Sequence, residues 1–341
     1  LINAQKQVHV GTGVSVKAGG INVTAGITTV QALQATTGTF SADSTVNGVT
    51  VGKGTNSATG NTVLGVNALD AAVTGTNNTA IGYLTLTSNT SGTECVAVGS
   101  GALSNNTTGE HNTAVGKSAL TSNTTASDNT AVGEASLQNN TTGANNTSVG
   151  RNALISNTTA SNNTALGKST LESNTTGANN VAIGANALDA NTTAGSCVAI
   201  GKDAAGANTI GSQITAVGSE ALESNTTGNY NVAVGSQALQ LNTTGASNTA
   251  VGMQALEANT TASNNVAMGL QALQANTTGT NNTALGKGAG LTQTNLSGCT
   301  WIGTDAGRVN VASNNTGVGA GALYANTTGT QNTAVGTGIY G

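Results

Sequence analysis

Three cysteines are the residues whose side-chain chemistry has to be considered first. Cys95, Cys197 and Cys299 are evenly spaced along the chain, with equal intervals (197 − 95 and 299 − 197). A thiolate can bind a metal, attack a substrate or pair into a disulfide. No CxxC pair or Cys/His cluster accompanies these residues, so the pattern favours small buried apolar side chains over a metal site.

Acid–base chemistry has one candidate, His111, which follows Glu110 directly. The surrounding Asn/Thr-rich stretch is typical of a solvated outer turn. No Ser/His/Asp set or pair of carboxylates can be assembled, because the acidic residues occur singly in different repeats of the pattern described next. Dinucleotide and P-loop motifs are also missing. The sequence therefore predicts that the chain is not an enzyme and uses no cofactor or metal.

A glycine that recurs at a fixed spacing organises the chain. The step is 17 from Gly65 to Gly82 (82 − 65) and stays the same as far as Gly303, after which it is one shorter to Gly319 and regular again to Gly336. Such a period is typical of a short unit stacked on copies of itself. The first corner glycines of the series are Gly65, Gly82, Gly99, Gly116, Gly133 and Gly150.

One repeat can be read from the residues around this glycine. The preceding residues, as in Asn112–Val115, predict a short strand with a β-branched residue followed by Ala and an apolar residue. The glycine then forms a corner that a side chain would obstruct. The following Ala119-Leu120 predicts a second short strand, and Asn-Thr-Thr a polar turn. A helix is the competing interpretation, but apolar residues do not recur at helical spacing.

The position four before the glycine carries the clearest structural signal. It is Asn in 13 of the 17 repeats, Cys in three and Ile in one. Asn that exchanges with Cys and Ile is expected to be buried, with its amide bonded to the repeats above and below. The predicted ladder includes Asn112, Asn129, Asn146, Asn163, Asn231, Asn248, Cys95, Cys197 and Cys299.

Charged residues avoid the predicted strand altogether. No residue in the four positions before any of these glycines is charged. Charges instead follow the glycine by one, two or five positions, as in Lys117, Glu134 and Glu257, and these positions are expected to form an outer wall. A strand without a polar face is typical of one that is covered on both sides. Association with further chains is the simplest source of that cover.

Composition narrows the function further. The 341 residues include 9 Lys+Arg against 13 Asp+Glu, 48 Gly, no Pro and 2% aromatic residues, which is unlike an ordinary globular core. No basic stripe suits nucleic acid, and no apolar run is long enough for insertion into a membrane. Because the chain begins at Leu1 without a leader, we expect a processed or partial chain whose targeting signal, if any, lies outside it.

The strand and corner resemble the head repeats of YadA-like trimeric autotransporter adhesins, whose motif is Asn-Ser-Val-Ala-Ile-Gly. The motif stands here as NNVAIG at 179–184 and NYNVAVG at 229–235. The stretch GSQALQLNTTGASNTAVG at 235–252 is also similar to repeat arrays in bacteriophage tail fibres, including those of cyanophages. The similarity covers about residues 48–341.

The resemblance implies an all-β fold, a left-handed parallel β-roll, in a homotrimeric fibre that attaches to a cell surface. Residues 1–60 are then expected to be a β-rich, non-periodic neck or adaptor, and residues 61–341 an array of about 17 coils of this parallel β-solenoid. The longer period and the Thr/Asn-rich turn depart from the adhesin pattern and favour the phage branch.

We therefore expect a structural fibre segment of a virion, a rigid spacer on the virion surface or in another extracellular location. Its expected partners are its own copies, other virion or fibre proteins, and a host-surface glycan or protein. The passenger of a bacterial trimeric autotransporter is one alternative, and an ice- or crystal-binding solenoid is another. Trp301, which stands where other repeats have Ala, is expected to be a local plug, and the many Asn-Thr-Thr sequons follow from the repeat itself.

Overall fold

The computed structural model describes residues 44–46, 49–54, 58–71 and 73–338. They belong to one compact unit, Ala42–Gly341. Most of the predicted neck or adaptor at 1–60 lies outside the described residues, and that boundary stays a prediction. The described residues form a β-solenoid in which hydrogen-bonded equivalents on successive coils are 17 positions apart, which confirms the predicted all-β, parallel architecture.

Nineteen strands within the described residues form one sheet. Most contain only three residues, which is the whole extended part of each coil. The strands are β1 Ser44–Val46, β2 Val49–Gly52, β3 Thr62–Gly65, β4 Thr79–Ile81, β5 Val96–Val98, β6 Thr113–Val115, β7 Thr130–Val132, β8 Thr147–Val149, β9 Thr164–Leu166, β10 Val181–Ile183, β11 Val198–Ile200, β12 Thr215–Val217, β13 Val232–Val234, β14 Thr249–Val251, β15 Val266–Met268, β16 Thr283–Leu285, β17 Thr300–Ile302, β18 Thr316–Val318 and β19 Thr333–Val335.

The strands β3 to β19 pair in chain order, each parallel to the next. Equivalent residues lie side by side, as in Thr113 beside Thr130 and Ala114 beside Ala131. The strands β1 and β2 differ, because β1 pairs antiparallel with β2, and β2 pairs antiparallel with β3. This hairpin occupies the edge of the first coil that would otherwise present unpaired backbone groups.

The core consists of two columns that run along the stack. The middle residue of each strand points inward and is buried, as in Ala114, while the residues on either side of it are half-buried. The opposite column is the leucine four positions after the corner glycine, as in Leu120. Alanine suits the strand column because these short coils leave little room between the strand and the leucine.

The prediction of a second short strand at Ala119-Leu120 is wrong. The structure has a turn there, and the same turn recurs from coil to coil. Ser118 and Leu120 have φ angles of 58° and 49°, so the backbone is left-handed at two positions that are not glycine. Left-handed residues reverse the chain direction within a few positions, which a coil this short requires. Leu120 N still donates to Ser136 O of the next coil at 3.0 Å, so the turn is stacked although it is not extended.

The corner glycines have a backbone that other residues adopt only under strain. Gly82, Gly99, Gly116, Gly133 and Gly150 have φ between 130° and 140°. A Cβ on Gly99 would lie 2.6 Å from the carbonyl oxygen of Gly116 in the next coil. The first corner, Gly65, would bring a Cβ into the backbone of Gly82 in the same way. The corner therefore requires glycine for its φ angle and for the close approach of the next coil.

Gly99→Ala should lower the stability of the array by roughly 3 kcal/mol or more, since it combines a strained φ with a backbone clash. Gly101→Ala is the matched control. Gly101 has a φ of 71°, an added Cβ there would meet no atom nearer than Ser118 Oγ at 4.0 Å, and equivalent coils carry Ser118 and Ala135. The control should change the free energy of unfolding by less than about 1 kcal/mol. Thermal unfolding followed by circular dichroism compares the two, and equal midpoints would contradict the account of the corner.

Candidate interaction surfaces

The row four positions before the corner glycine lies inside the solenoid and forms a ladder wherever Asn follows Asn. The predicted members Asn112, Asn129, Asn146, Asn163, Asn231 and Asn248 are all fully buried. Asn129 N donates to Asn112 Oδ1 at 3.0 Å, and Asn129 Nδ2 donates to the carbonyl oxygen of Gly143 at 2.9 Å. Asn129 Oδ1 accepts from Asn146 N at 3.0 Å, so the side chain bonds to the following coil through both of its polar atoms, while the backbone N bonds to the preceding coil. An apolar side chain of that shape could not replace the two side-chain bonds.

The three cysteines occupy this same row. Cys95, Cys197 and Cys299 are free thiols and fully buried. Cys95 N donates to Asn78 Oδ1 at 3.0 Å, and its Sγ lies 3.4 Å from the carbonyl oxygen of Gly109. Burial raises the pKa of the Cys95 thiol to about 11 and also raises the pKa of the other two thiols. They therefore stay protonated and serve as packing groups near neutral pH.

A second Asn ladder lies seven positions after the corner glycine, where the sequence predicted only a polar outer turn. Asn106 is fully buried, and its Nδ2 donates to Asn89 Oδ1 at 2.9 Å and to the carbonyl oxygen of Gly109 at 3.0 Å. The same arrangement recurs along the array. The signal was present in the sequence, because this Asn recurs as regularly as the other one while residues of the outer wall vary.

The second ladder determines whether most of the N-glycosylation sequons are accessible for modification. Twelve of its asparagines begin an Asn-Thr-Thr or Asn-Thr-Ser sequon, and in each the Nδ2 atom donates to the carbonyl oxygen three positions later. Attachment of a sugar would use that nitrogen. The folded chain does not offer it at Asn89, Asn106, Asn123, Asn140, Asn157, Asn174, Asn191, Asn225, Asn242, Asn259, Asn276 and Asn326.

The outward face of the strand stack is uncharged and unpartnered in a single chain. Each of the strands β4 to β19 presents a Thr or Val and then a Val, Ile, Leu or Met to the outside, on either side of the inward middle residue. Leu166 and Met268 remain 47% and 42% exposed. None of the strands in the described part of the chain contains a charged residue. This surface, the strand face, is the largest uniform feature of the array.

Ionisable residues of successive coils meet on the outer turn, five positions before the corner glycine, which corrects the expectation that different repeats keep them apart. His111 lies between Glu94 and Asp128, with Nε2 at 3.6 Å from Glu94 Oε2 and Nδ1 at 3.3 Å from Asp128 Oδ1. All three side chains are about half exposed. Stacking brings together residues that are one period apart, so the column is a consequence of the period. Such exposed pairs contribute little to stability.

Amide and carboxylate side chains form a second column on the wall. Gln237 Nε2 donates to Glu220 Oε2 at 3.1 Å, and Gln254 Nε2 donates to Gln237 Oε1 at 3.2 Å. Gln271 continues the column by donating to Gln254 at 3.1 Å. The wall therefore carries an ordered polar row, although the residue type at this position of the repeat varies between coils.

An open groove of about 530 Å³ lies on the wall where Gly206 replaces a longer side chain. Asp189, Asp203 and Glu223 line it. Burial raises the pKa of the Asp189 carboxyl, and the negative charge of Asp203 raises it further. Hydrogen bonding from Lys202 lowers the pKa of Asp203. Within the described ranges, no group of three or more His, Cys, Asp or Glu side chains has an arrangement that could hold a metal ion.

Trp301 is fully buried at the middle position of β17, where other strands have alanine. Three glycines make room for the ring. Gly290 and Gly307 stand where other coils have the core leucine, and Gly317 stands where the next strand would have alanine. A Cβ at any of these glycines would come within 3.0 Å of the ring. The indole thus fills space left by its neighbours in the coils on both sides.

No protein-family model matches this chain, and no curated protein sequence does either. The resemblance to adhesin and phage-fibre repeats thus stays a prediction. No helix occurs among the residues described, so none there is long and apolar enough to cross a membrane. The prediction that the chain is not an enzyme also stays a prediction.

Asn231→Asp should destabilise the array by several kcal/mol, since it replaces the Nδ2 donor to Gly245 O by a buried carboxylate oxygen. The control Glu257→Gln changes charge on the half-buried wall, where Gln274 donates to the carboxylate, and should cost no more than about 0.5 kcal/mol. Chemical denaturation gives both values. A similar loss in the two variants would mean that the ladder is not the more sensitive row.

The cysteines should be unreactive until the chain unfolds. Because the Cys95 thiol has a pKa of about 11 and all three thiols are buried, the folded protein should take up almost no aromatic disulfide reagent at pH 8. In denaturant the same titration should reach three thiols per chain. Rapid labelling of the folded protein would show that this row is open to solvent.

Proposed function

We propose that this chain is a structural fibre segment of a virion, a tail or capsid fibre, in which three copies of a left-handed β-roll associate along a common axis. It acts as a rigid spacer on the virion surface and contributes to host attachment. The observation that carries the proposal is the strand face, which is long, uncharged and half-exposed in a single chain.

The size of the strand face supports association of chains. Sixteen strands that each occupy about 4.8 Å along the stack give a length of about 77 Å, and three extended residues give a width of about 10 Å. The product is on the order of 770 Å², close to the roughly 800 Å² that each partner buries in a standard protein interface. A surface of this extent without a charged side chain supports its use as a contact surface between chains.

The spacer role rests on the contrast between the coil framework and its wall. The strand, corner and ladders repeat with little change, so each added coil lengthens the array by about 4.8 Å without altering its section. The wall varies, but aromatic residues that usually anchor tight interfaces are rare there, with Tyr83 as an exposed example. We therefore assign receptor recognition to a partner protein or another part of the fibre, with the array holding it away from the virion.

Val234→Glu should dissociate the proposed trimer, because it places a carboxylate in the middle of the strand face. Ser236→Glu is the matched control, since it adds the same charge two positions later on the exposed wall. Sedimentation equilibrium should give a trimer for the unchanged chain and for the control, and smaller species for Val234→Glu. A stable folded monomer of the unchanged chain would overturn the proposal, and a dimer would leave the interface but remove the three-fold assembly.

Ice or crystal binding is a second candidate, favoured by one feature of the strand face. Thr and Val or Ile form two straight rows with a repeat of about 4.8 Å, and regular rows of this kind can order water. The two candidate functions compete for the same surface, because a face buried between chains cannot meet ice. Thermal hysteresis in solution, combined with a monomeric state, would favour this candidate over the fibre.

A further inference from the structure

The strand face is too regular to orient one chain against another by itself. Its two outward rows repeat a Thr or Val and an aliphatic residue in nearly every coil. A neighbouring chain that ran in the opposite direction would therefore still meet two rows of similar residues. Charged residues in the two rows that border the strand face break this regularity.

The first border precedes the strands. The chain turns two positions before each strand, where His111 has a φ of 56° and Asp128 a φ of 61°. Three exposed carboxylates, which we call the acidic border, lie here in successive coils: Glu94 before β5, Glu110 before β6 and Asp128 before β7. The residues five and six positions before every other corner glycine are uncharged.

The second border follows the strands. Its residues come directly after the corner glycine, two positions beyond the end of each strand. Lys117 follows β6 and Arg151 follows β8, and both are exposed. Neither forms an ion pair within the described part of the chain, whereas Lys202 of the same row pairs with Asp203. Lys117 and Arg151, the basic border, are therefore cations without an acidic partner in a single chain.

The two borders can meet only between copies. Within one chain the strand lies between them and keeps the acids and the bases apart. When parallel chains surround a common axis with their strand faces inward, the border after the strands of one chain meets the border before the strands of the next. Opposite charges then come together along every interface of the assembly.

We propose that the basic border of one copy binds the acidic border of the next, which holds the copies parallel with these coils at the same level. The contact rests on the association of chains proposed above and determines how those chains align. Lys117 then stands at the level of Glu110, and Glu94 and Asp128 belong to the coils on either side. A coil step is about 4.8 Å, which the long side chains of Lys and Arg can span.

An antiparallel arrangement leaves these charges unpaired. It would bring the same border of both chains together, and with the arrays fully overlapped the acidic border would face uncharged residues such as Asn264 and Asn281. Charges that lose water without gaining a partner oppose association. Complementary borders therefore supply specificity of alignment, while the strand face supplies most of the contact area.

One like-charge approach accompanies the contact. Glu134 follows β7 and is exposed, so it stands at the level of Asp128 of the next copy. Lys117 and Arg151 lie in the same row, one coil to either side of Glu134. Its removal should strengthen the association of chains.

Reversal of one charge tests the contact in the full chain. Lys117→Glu should raise the concentration at which half of the trimer dissociates by about tenfold at low ionic strength, because every interface loses an attraction. High salt should reduce this difference. Lys287→Glu is the matched control, since Lys287 is exposed in the same row at the level of the uncharged Thr280 and Asn281, and it should change that concentration by less than about twofold. Sedimentation equilibrium over a dilution series measures both.

Exchange of the charges is the second test. Lys117→Glu combined with Glu110→Lys should recover most of the lost association, and Glu134→Gln should associate more tightly than the unchanged chain. Equal behaviour of Lys117→Glu and Lys287→Glu, or no recovery in the exchanged pair, would overturn the contact between borders, while a trimer of the unchanged chain would keep the fibre proposal. A monomer of the unchanged chain would overturn both.

Discussion

Hydrogen bonds between coils hold this molecule together, and they require that each residue lie beside its equivalent one period away. Thr113 N donates to Asn129 O, and Gly116 N donates back to Val98 O, both at 2.8 Å. Because bonds leave each coil in both directions, no coil satisfies its backbone alone. Short strands of three residues are sufficient here, since the turns between them are bonded to the next coil as well.

The same register lets the chain keep polar residues inside. Buried amides usually destabilise a protein unless every donor and acceptor is paired. In this array the partner of each ladder Asn is supplied by the neighbouring coil, so pairing is automatic wherever the period is kept. The interior consists of two Asn rows, an Ala column and a Leu column, so polar and apolar rows run side by side along the whole stack.

The sequence predicted those parts of the fold that depend on the period. The strands, the corner at Gly116 and the buried row containing Asn129 follow from residue types at fixed spacing. The second strand at Ala119-Leu120 was wrong, because a leucine in the left-handed region is rare and propensity does not anticipate it. The row containing Asn106 was missed because Asn-Thr-Thr is also typical of exposed turns. The column around His111 was missed because stacking, and not nearness in sequence, brings its members together.

A perfectly periodic chain has a weakness that Trp301 removes. If every coil were the same, a coil could pair with the wrong neighbour one repeat away and lose almost nothing, since each row would look alike. Trp301 needs Gly290, Gly307 and Gly317 around it, and a shift by one repeat would press its ring against Leu273 or another core leucine. The indole and its three glycines thus fit together in only one register, and they fix which coils pair with each other at this position of the array.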